Sequence, residues 1–484
     1  MKRAKIQLVI CLAALFLATT AGCDFLSAPT EISSVPSVSD EFSSSVSGES
    51  SSLNEESSVE VSSEAKSESS SKTEVSSSQK PPVSKPEQEE SSEPVSRPLV
   101  SEPASESSSV PEISSSAPPV FPPEEEASRP DSSENIPGEI VYLAYETLSA
   151  KEKTVYDEML FCIGQHMESV EFPRNYKTNE KESESVLKIF SCLMADHPEL
   201  FSCRRFAYSI YADRVVFNPE YLFDAATSAR MQKEVEKVAE NWLQEAPVSG
   251  SDYEKSKWVY ETLVRKTDYV FGSENNQNYY SVFVQGESVC AGYTAAAQYL
   301  LQKLGISSVM VRGEAYDPST GQLQSHTWNL NLLDGEYYHM DTTWGDPFYA
   351  GKIEDQVSYS YLNLTDEMIF ITHQLKDNSF AVPKATTTEN CYFVKEKLQF
   401  AVYSAQTLQT AVARQIQKGQ TTMAIRYEDE EEYAKLLQAL TDGSSFSRIL
   451  NGAFDEAGVS RNKYAVSYMK NEKQNILELI LTLR

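Results

Sequence analysis

The sequence has little positive charge. It holds 42 Lys and Arg residues against 71 Asp and Glu residues, a formal net charge of −29 at pH 7. Of these, 23 acidic and only six basic residues lie within residues 24–137, so the remainder is moderately acidic. No basic tract is present. Nucleic-acid binding requires a positive surface against phosphate, and we therefore expect no nucleic-acid partner.

The apolar run at the N-terminus is short. Residues 8–18 are apolar and follow the positive residues Lys2, Arg3 and Lys5. A membrane-spanning helix needs roughly 20 apolar residues, so this run indicates a signal peptide rather than a membrane span.

Small residues precede Cys23 directly after this run. The sequence Thr20-Ala21-Gly22-Cys23 resembles a bacterial lipobox, in which the cysteine is lipidated and becomes the mature N-terminus. The resemblance implies a lipoprotein signal peptide at residues 1–23, lipidation of Cys23 and anchoring at the extracellular face of the bacterial cell membrane. The alternative is ordinary secretion with cleavage nearby and no lipid.

The cysteines do not form a disulfide framework. Of the seven, Cys11 lies in the signal peptide and Cys23 is the lipidation candidate. The other five are an odd number spread over more than two hundred residues, which leaves at least one thiol unpaired. They are Cys162, Cys192, Cys203, Cys290 and Cys391. Cys162 and Cys192 lie on the apolar faces of predicted helices, which favours a place in the core.

Residues 24–137 lack aromatic side chains almost entirely. They are dominated by Ser, Glu, Pro and Val, and such a stretch buries too little apolar surface to offset the entropy lost on ordering. We expect a disordered spacer that carries the folded part away from the membrane.

Periodic patterns begin near Ile140 and divide the rest of the chain into three folded segments. Residues 138–250 predict a mainly helical segment with a pair of strands, and Ser149 and Glu152 have capping-box spacing at one helix start. Residues 251–380 predict a core that contains the residues described next. Residues 390–484 alternate between strands and helices and predict a small, separate α/β domain.

Cys290 lies where a helix is predicted to begin. Residues 291–304 favour helix, and Gly305 is placed to end it. The unpaired N–H groups and the positive dipole end of a helix N-terminus stabilise thiolate over thiol, and the same groups can stabilise an oxyanion. The alternative is a structural cysteine, which more often lies within a helix face.

A hairpin carries the other two candidate residues. Asp334-Gly335 is a strong two-residue turn signal, which places Leu333 opposite Glu336 and puts His326 and Asp341 on one face. As diagonal neighbours they are roughly 7–8 Å apart at the backbone, a distance that an imidazole and a carboxylate can bridge. A histidine base held by an acidic side chain requires this arrangement. Either residue alone is more often a satisfied polar side chain.

Three blocks of sequence carry a family resemblance. Residues 286–293, 326–329 and 341–344 resemble the signature blocks of the bacterial transglutaminase-like superfamily, in the same order and spacing. The resemblance implies an α+β fold with a papain-like core, in which a helix bearing Cys packs on an antiparallel sheet. It also implies that Cys290 is the nucleophile, His326 the general base and acid, and Asp341 the residue that orients it. We add Tyr280 as a candidate oxyanion donor.

No cofactor is expected, because no phosphate loop, dinucleotide motif or metal-ligand spacing is present. The sequence therefore predicts a cell-surface enzyme that acts through a thioester on surface protein or wall peptide. Peptidase or amidase action and protein cross-linking remain alternatives. The rival from another class is a non-catalytic surface binding or adhesion module with the same fold.

Overall fold

The computed structural model describes residues 140–175, 179–316, 321–346 and 356–484, which all fall in one compact unit. Cys23 and the predicted spacer, residues 24–137, lie outside the described residues. Among the described helices, none is long and apolar enough to cross a membrane. The helices are α1 Leu143–Glu146, α2 Ala150–Gly164, α3 Asn179–Asp196, α4 Ala225–Leu243, α5 Asp252–Lys266, α6 Cys290–Lys303, α7 Thr342–Gly345, α8 Asp366–Ile369, α9 Tyr392–Lys395, α10 Ala405–Gln417, α11 Glu430–Asp442 and α12 Ser444–Ala457.

The strands form two larger sheets and two smaller ones. They are β1 Val170–Pro173, β2 Cys203–Ile210, β3 Arg214–Tyr221, β4 Asp268–Tyr269, β5 Glu287–Ser288, β6 Ser308–Tyr316, β7 Leu323–Leu333, β8 Glu336–Met340, β9 His373–Leu375, β10 Gln399–Phe400, β11 Thr422–Tyr427, β12 Tyr464–Asn471 and β13 Ile476–Leu483. Helices and mainly antiparallel strands make this an α+β protein, as the sequence predicts.

The central sheet has the order β8-β7-β6-β9, and all its strand pairs are antiparallel. Alternate side chains pack on opposite faces because the side-chain period of a strand is two. Met310 and Met340 belong to the hydrophobic cluster that contains α6, whereas Val311 and Trp328 belong to the cluster that contains α3. The sheet is thus covered on both faces.

The N-terminal segment starts as the sequence predicts. Ser149 and Glu152 form a complete capping box at α2. The strands β2 and β3 pair, and β1, which sequence patterns do not reveal, adds to β3. The side chain of Asp196 fastens this segment by accepting hydrogen bonds from the backbone N–H groups of Ala144 and Tyr145 at 3.0 and 2.8 Å. Its backbone oxygen accepts from Gln298 of α6 at 2.9 Å.

The C-terminal segment consists of strands and helices, as expected. Its sheet has the order β10-β11-β13-β12, and Gly443, at φ 63°, separates α11 from α12. Its apolar residues belong to the same hydrophobic cluster as α6. The Glu478 carboxylate of β13 accepts hydrogen bonds from Ser358 and Ser360. The contact between the C-terminal segment and residues 251–380 therefore includes buried polar groups.

Candidate active site

Cys290 is the first residue of α6. Val289 is the N-cap, and its side chain makes no capping hydrogen bond. The unpaired N–H groups at a helix start favour an anionic group there. The side chain is buried, and the reactivity of its sulfur must be measured on reduced protein.

The chain before α6 is held tightly against the helix start. Ser281 donates its hydroxyl hydrogen to Ser288 at 2.8 Å, and Ser288 donates to the backbone oxygen of Asn276 at 2.9 Å. Gly292 lies opposite this network. A Cβ atom there would overlap the Ser288 hydroxyl and lie 2.9 Å from the Asn278 oxygen, so glycine is required for this close approach.

The first turn of α6 lies against β7. The Thr294 hydroxyl is 3.0 Å from the backbone oxygen of Thr327, and the Asn329 amide donates to the backbone oxygen of Thr294 at 3.0 Å. Thr294 is one turn after Cys290, and Thr327 follows His326. These contacts bring the start of α6 beside the part of β7 that carries His326.

The hairpin has the predicted register. Leu333 pairs with Glu336 and Asn329 with Met340. Asp334 and Gly335 both have positive φ, at 50° and 85°, as the two-residue turn requires.

The return strand ends one residue earlier than expected. We expect it to reach Asp341, with His326 opposite Thr343, but β8 ends at Met340 and Asp341 is the N-cap of α7. Its Oδ1 accepts hydrogen bonds from the N–H groups of Thr343 and Trp344 at 2.9 and 3.1 Å, which turns the backbone into a helix. β7 therefore has no β8 partner beside His326.

His326 and Asp341 meet as the hairpin geometry predicts. The distance from His326 Nε2 to Asp341 Oδ2 is 2.7 Å, and the two residues are 7% and 1% exposed. An ionised carboxylate only accepts, so Nε2 carries the hydrogen and Nδ1 is the nitrogen available to a thiol. Burial by itself would raise the pKa of Asp341, but the charge and hydrogen bond of His326, with the hydrogen bond of His373, hold it well below its usual value.

His373 is a member of this cluster that sequence reasoning misses. Its Nε2 is 3.0 Å from Asp341 Oδ2, the same oxygen that contacts His326. It lies on the three-residue strand β9, which joins the sheet by pairing with β6. A strand so short has no recognisable period, and only the β6–β9 pairing brings His373 to Asp341.

A third buried histidine, His339, holds the Trp328 ring that packs against this cluster. The indole N–H of Trp328 donates to His339 Nδ1 at 2.9 Å, which leaves the hydrogen of His339 on Nε2, facing Asp366 at 3.0 Å. The Trp328 ring stacks on His326 with centroids 6.1 Å apart and meets His373 edge-on at 5.0 Å. The indole is thus fixed in place between the two histidines.

Tyr280 does not face this cluster. Its hydroxyl donates to Glu234 of α4 at 2.8 Å. A carboxylate acceptor is preferred over a neutral one, so this hydroxyl is committed elsewhere and we do not retain Tyr280 as an oxyanion donor.

The atoms of His326, Asp341 and His373 lie within 4.8 Å of one another, close enough to hold a metal ion. The hydrogen bonds at 2.7 and 3.0 Å nevertheless place a proton on each Nε2, directed at the same Oδ2. A metal would have to displace both protons. The geometry therefore fits a hydrogen-bonded cluster better than a metal site.

The other described cysteines are free and buried. Burial raises the pKa of Cys162 and Cys391 to about 11 and that of Cys192 and Cys203 to about 12. Cys162 and Cys192 lie in the core, as the sequence predicts. Of these four, Cys391 is the N-cap of the four-residue helix α9, and Cys162 and Cys192 lie within helices.

A cavity of about 270 Å³ adjoins another part of α6. Its lining is mostly apolar and includes Phe201, Ala295 and Met310, with Asn276 and Asn278 at one side. These two asparagines also contact the chain that precedes Cys290, so the cavity and the start of α6 share a wall.

No family model matches the chain, and no curated protein matches it. Solved structures align with it only weakly. A transglutaminase aligns over 38% of this chain and 52% of its own, at 11% identity and a TM-score of 0.22. A candidate cysteine protease from Cytophaga hutchinsonii aligns over 27% and 51%, at 14% identity and a TM-score of 0.20.

The third structure is that of menin, which reveals the binding site of menin for Mixed Lineage Leukemia (MLL) protein. It aligns over 64% of this chain and 62% of its own, at 14% identity and a TM-score of 0.21. The chain spans about half the length of the transglutaminase and of the protease. With TM-scores this low, the alignments carry no argument about function, which rests on the site alone.

Proposed function

We propose that this protein is a thiol acyl-transfer enzyme of the transglutaminase-like type, with Cys290 as nucleophile, His326 as general base and acid, and Asp341 as the residue that orients His326. The observation that carries the proposal is the buried contact of 2.7 Å between His326 Nε2 and Asp341 Oδ2. His326 lies on β7, and the next residue, Thr327, contacts Thr294, one turn after Cys290. It fixes the hydrogen on Nε2 and leaves Nδ1 for the thiol.

The reaction starts with proton transfer from Cys290 to His326. The thiolate attacks the carbonyl carbon of a peptide or carboxamide, and the C–N bond breaks as His326 returns the proton to the leaving amine. A thioester on Cys290 results. Attack by water gives the acid and hydrolysis, and attack by a primary amine gives a new amide.

The test is to capture this thioester. Reduced protein is mixed with an activated acyl ester and quenched in acid, and its mass is measured before and after proteolysis. We expect one acyl group per chain, located on Cys290 and absent from Cys290→Ala, while the control Cys162→Ala is acylated like the wild type. Acylation spread over several cysteines, or unaffected by Cys290→Ala, would exclude the mechanism and favour a binding module.

The fate of the thioester separates the two enzyme types. Adding a primary amine to the acylated protein gives an amide if the enzyme is a transferase, and free acid at an unchanged rate if it is a peptidase or amidase. Mass spectrometry of the small product reads the ratio directly.

We also propose a place for this reaction. The lipobox resemblance at Cys23 and the composition of residues 24–137 support a lipid-anchored protein whose folded part extends from the outer face of the cell membrane. Surface proteins and wall peptides are the substrates within its reach.

A further inference from the structure

Asp341 makes an unusual number of side-chain contacts for one carboxylate. Oδ1 accepts from the N–H groups of Thr343 and Trp344, and Oδ2 accepts from both His326 and His373, at 2.7 and 3.0 Å. The two bonds on Oδ1 already fix the plane of the carboxylate. His373 is therefore not needed to hold Asp341 in place, which calls for another reason for a second imidazole on Oδ2.

The surroundings of His373 keep its imidazole neutral and its Nε2 hydrogen available for a hydrogen bond. It is 3% exposed, and aromatic rings surround it: the centroids of Trp344 and Trp328 lie at 4.9 and 5.0 Å and that of Tyr361 at 5.7 Å. Its Nδ1 is 2.8 Å from the Thr372 hydroxyl, which donates to it when Nε2 carries the hydrogen. Burial lowers the pKa of His373 to about 4, so that it donates a hydrogen bond at neutral pH without adding positive charge.

We propose that His373 is a positioning residue that acts on the Cys290 chemistry through Asp341, by donating a second hydrogen bond to the oxygen that holds His326. This rests on the function proposed above. An oxygen that accepts two N–H groups shares its negative charge between them, so it stabilises the His326 imidazolium less than it would alone. A less stabilised imidazolium is a stronger acid and gives its proton more readily to the leaving amine.

The other charged and titratable groups near His373 do not account for this arrangement. His326 and His339 both disfavour a proton on His373, and Asp341 is the carboxylate that favours one. Asp366 faces His339 instead, at 3.0 Å. The described groups around His373 thus leave its Nε2 hydrogen directed at Asp341.

The test measures the pKa of His326 itself. The protein has five histidines, few enough to follow each by NMR of ¹³C-labelled imidazole carbons across pH. Cys290→Ala serves as the background, so that the thiol does not titrate with His326. His373→Gln keeps an N–H donor near the position of Nε2, whereas His373→Met has similar bulk and no donor.

We expect His373→Met to raise the pKa of His326 by about half a unit or more, because Asp341 then holds His326 alone, and His373→Gln to stay close to the background. Thr372→Val should raise it in the same direction by less, since Nδ1 loses its donor and Nε2–H becomes a weaker one. That variant retains the imidazole and decides the matter if His373→Met does not fold. His197→Met is the control for loss of a buried histidine outside this cluster, because His197 contacts Glu199 instead, and it should leave the pKa of His326 unchanged.

Equal His326 pKa values in the Met and Gln variants, or a fall with His373→Met, would overturn the proposal. So would a stoichiometric metal ion in the purified protein that is lost with His373→Met. The NMR reading does not depend on thiol reactivity. If the proposed function fails, Cys290 is unreactive while the pKa of His326 still changes with His373. If this inference fails, Cys290 is reactive and the pKa of His326 does not change with His373.

Discussion

At the scale of single residues, His373 has a consequence for stability as well as for chemistry. Its pKa is about 4 in the folded chain, against an ordinary value of 6.5. Between these values the unfolded chain binds more protons than the folded one. His373 therefore lowers the free energy of unfolding as the pH falls from about 6.5 towards 4, and it has no such effect above that range.

His373→Gln removes this term. We expect the free energy of unfolding of the wild type to fall relative to that of His373→Gln by on the order of 2–3 kcal/mol between pH 7 and pH 4. Urea unfolding of both proteins at several pH values measures the difference. Burial raises the pKa of both Asp196 and Asp346 to about 6, which has the opposite effect, but these groups are common to both proteins and cancel. Parallel curves would show that His373 is not a buried neutral histidine.

At the scale of elements, the site depends on how closely β6, β7 and β9 approach one another. Gly313 of β6 pairs with His326 on one side and with Leu375 on the other. A Cβ atom at position 313 would overlap the backbone oxygen of Gln374 and lie 2.7 Å from the Trp328 ring. Only glycine lets the indole and β9 pack at this distance.

Gly313→Ala should therefore destabilise the fold by about 1–3 kcal/mol, the usual result of overpacking a core. Gly164→Ala is the matched control, because nothing lies within 4 Å of a Cβ at that position, and it should be close to neutral. Chemical unfolding of both variants provides the comparison. If Gly313→Ala is as stable as Gly164→Ala, the close approach of β9 in the structure is wrong.

Local signals predict the elements that local interactions form. The capping box at Ser149 and the register of the Asp334-Gly335 hairpin are present as expected, because each is decided by a few adjacent residues. The contact between His326 and Asp341 follows from that register. β1 and β9 are short and are formed by pairing with distant strands, so no local pattern predicts them. His373 escapes sequence analysis for that reason.

At the scale of the whole molecule, the C-terminal segment and the segment that holds the candidate site share one hydrophobic core, which composition does not predict. The C-terminal residues fold as strands and helices, but their core is continuous with that of α6. Lys257 of α5 also forms an ion pair with Glu396 at 2.8 Å, and Glu396 contacts Lys418 of the C-terminal segment at 2.6 Å. A hydrophobic pattern shows which residues are buried and does not show which neighbour buries them.

The lipid anchor is a prediction about the whole protein. Cys23→Ser should move the protein from the membrane fraction to the medium or the soluble fraction, because a lipid-modified cysteine can no longer form. Ser27→Ala, a change in the same segment, should remain with the membrane. Immunoblots of fractionated cells measure both. A Cys23→Ser protein that stays with the membrane like the wild type would show that Cys23 is not the anchor.

The spacer makes a separate prediction. Brief treatment with a protease of broad specificity should remove residues before about Ile140 and leave a resistant fragment, because chain that cannot bury apolar surface is cut first. Mass spectrometry of the fragment locates its start. A first cut within 140–484 at the same rate would argue against a disordered spacer.

The central claim is that Cys290 is an activated thiol paired with His326. Its most direct test is the rate at which each cysteine of the reduced protein reacts with iodoacetamide, measured by mass spectrometry across pH. Near neutral pH we expect Cys290 to react at least about 100-fold faster than Cys162, Cys192, Cys203 and Cys391, whose pKa values of about 11 to 12 leave little thiolate. His326→Ala should slow Cys290 by about tenfold or more and leave the other four rates unchanged. Equal rates for all five thiols in the folded protein, or a Cys290 rate that His326→Ala does not alter, would contradict the account.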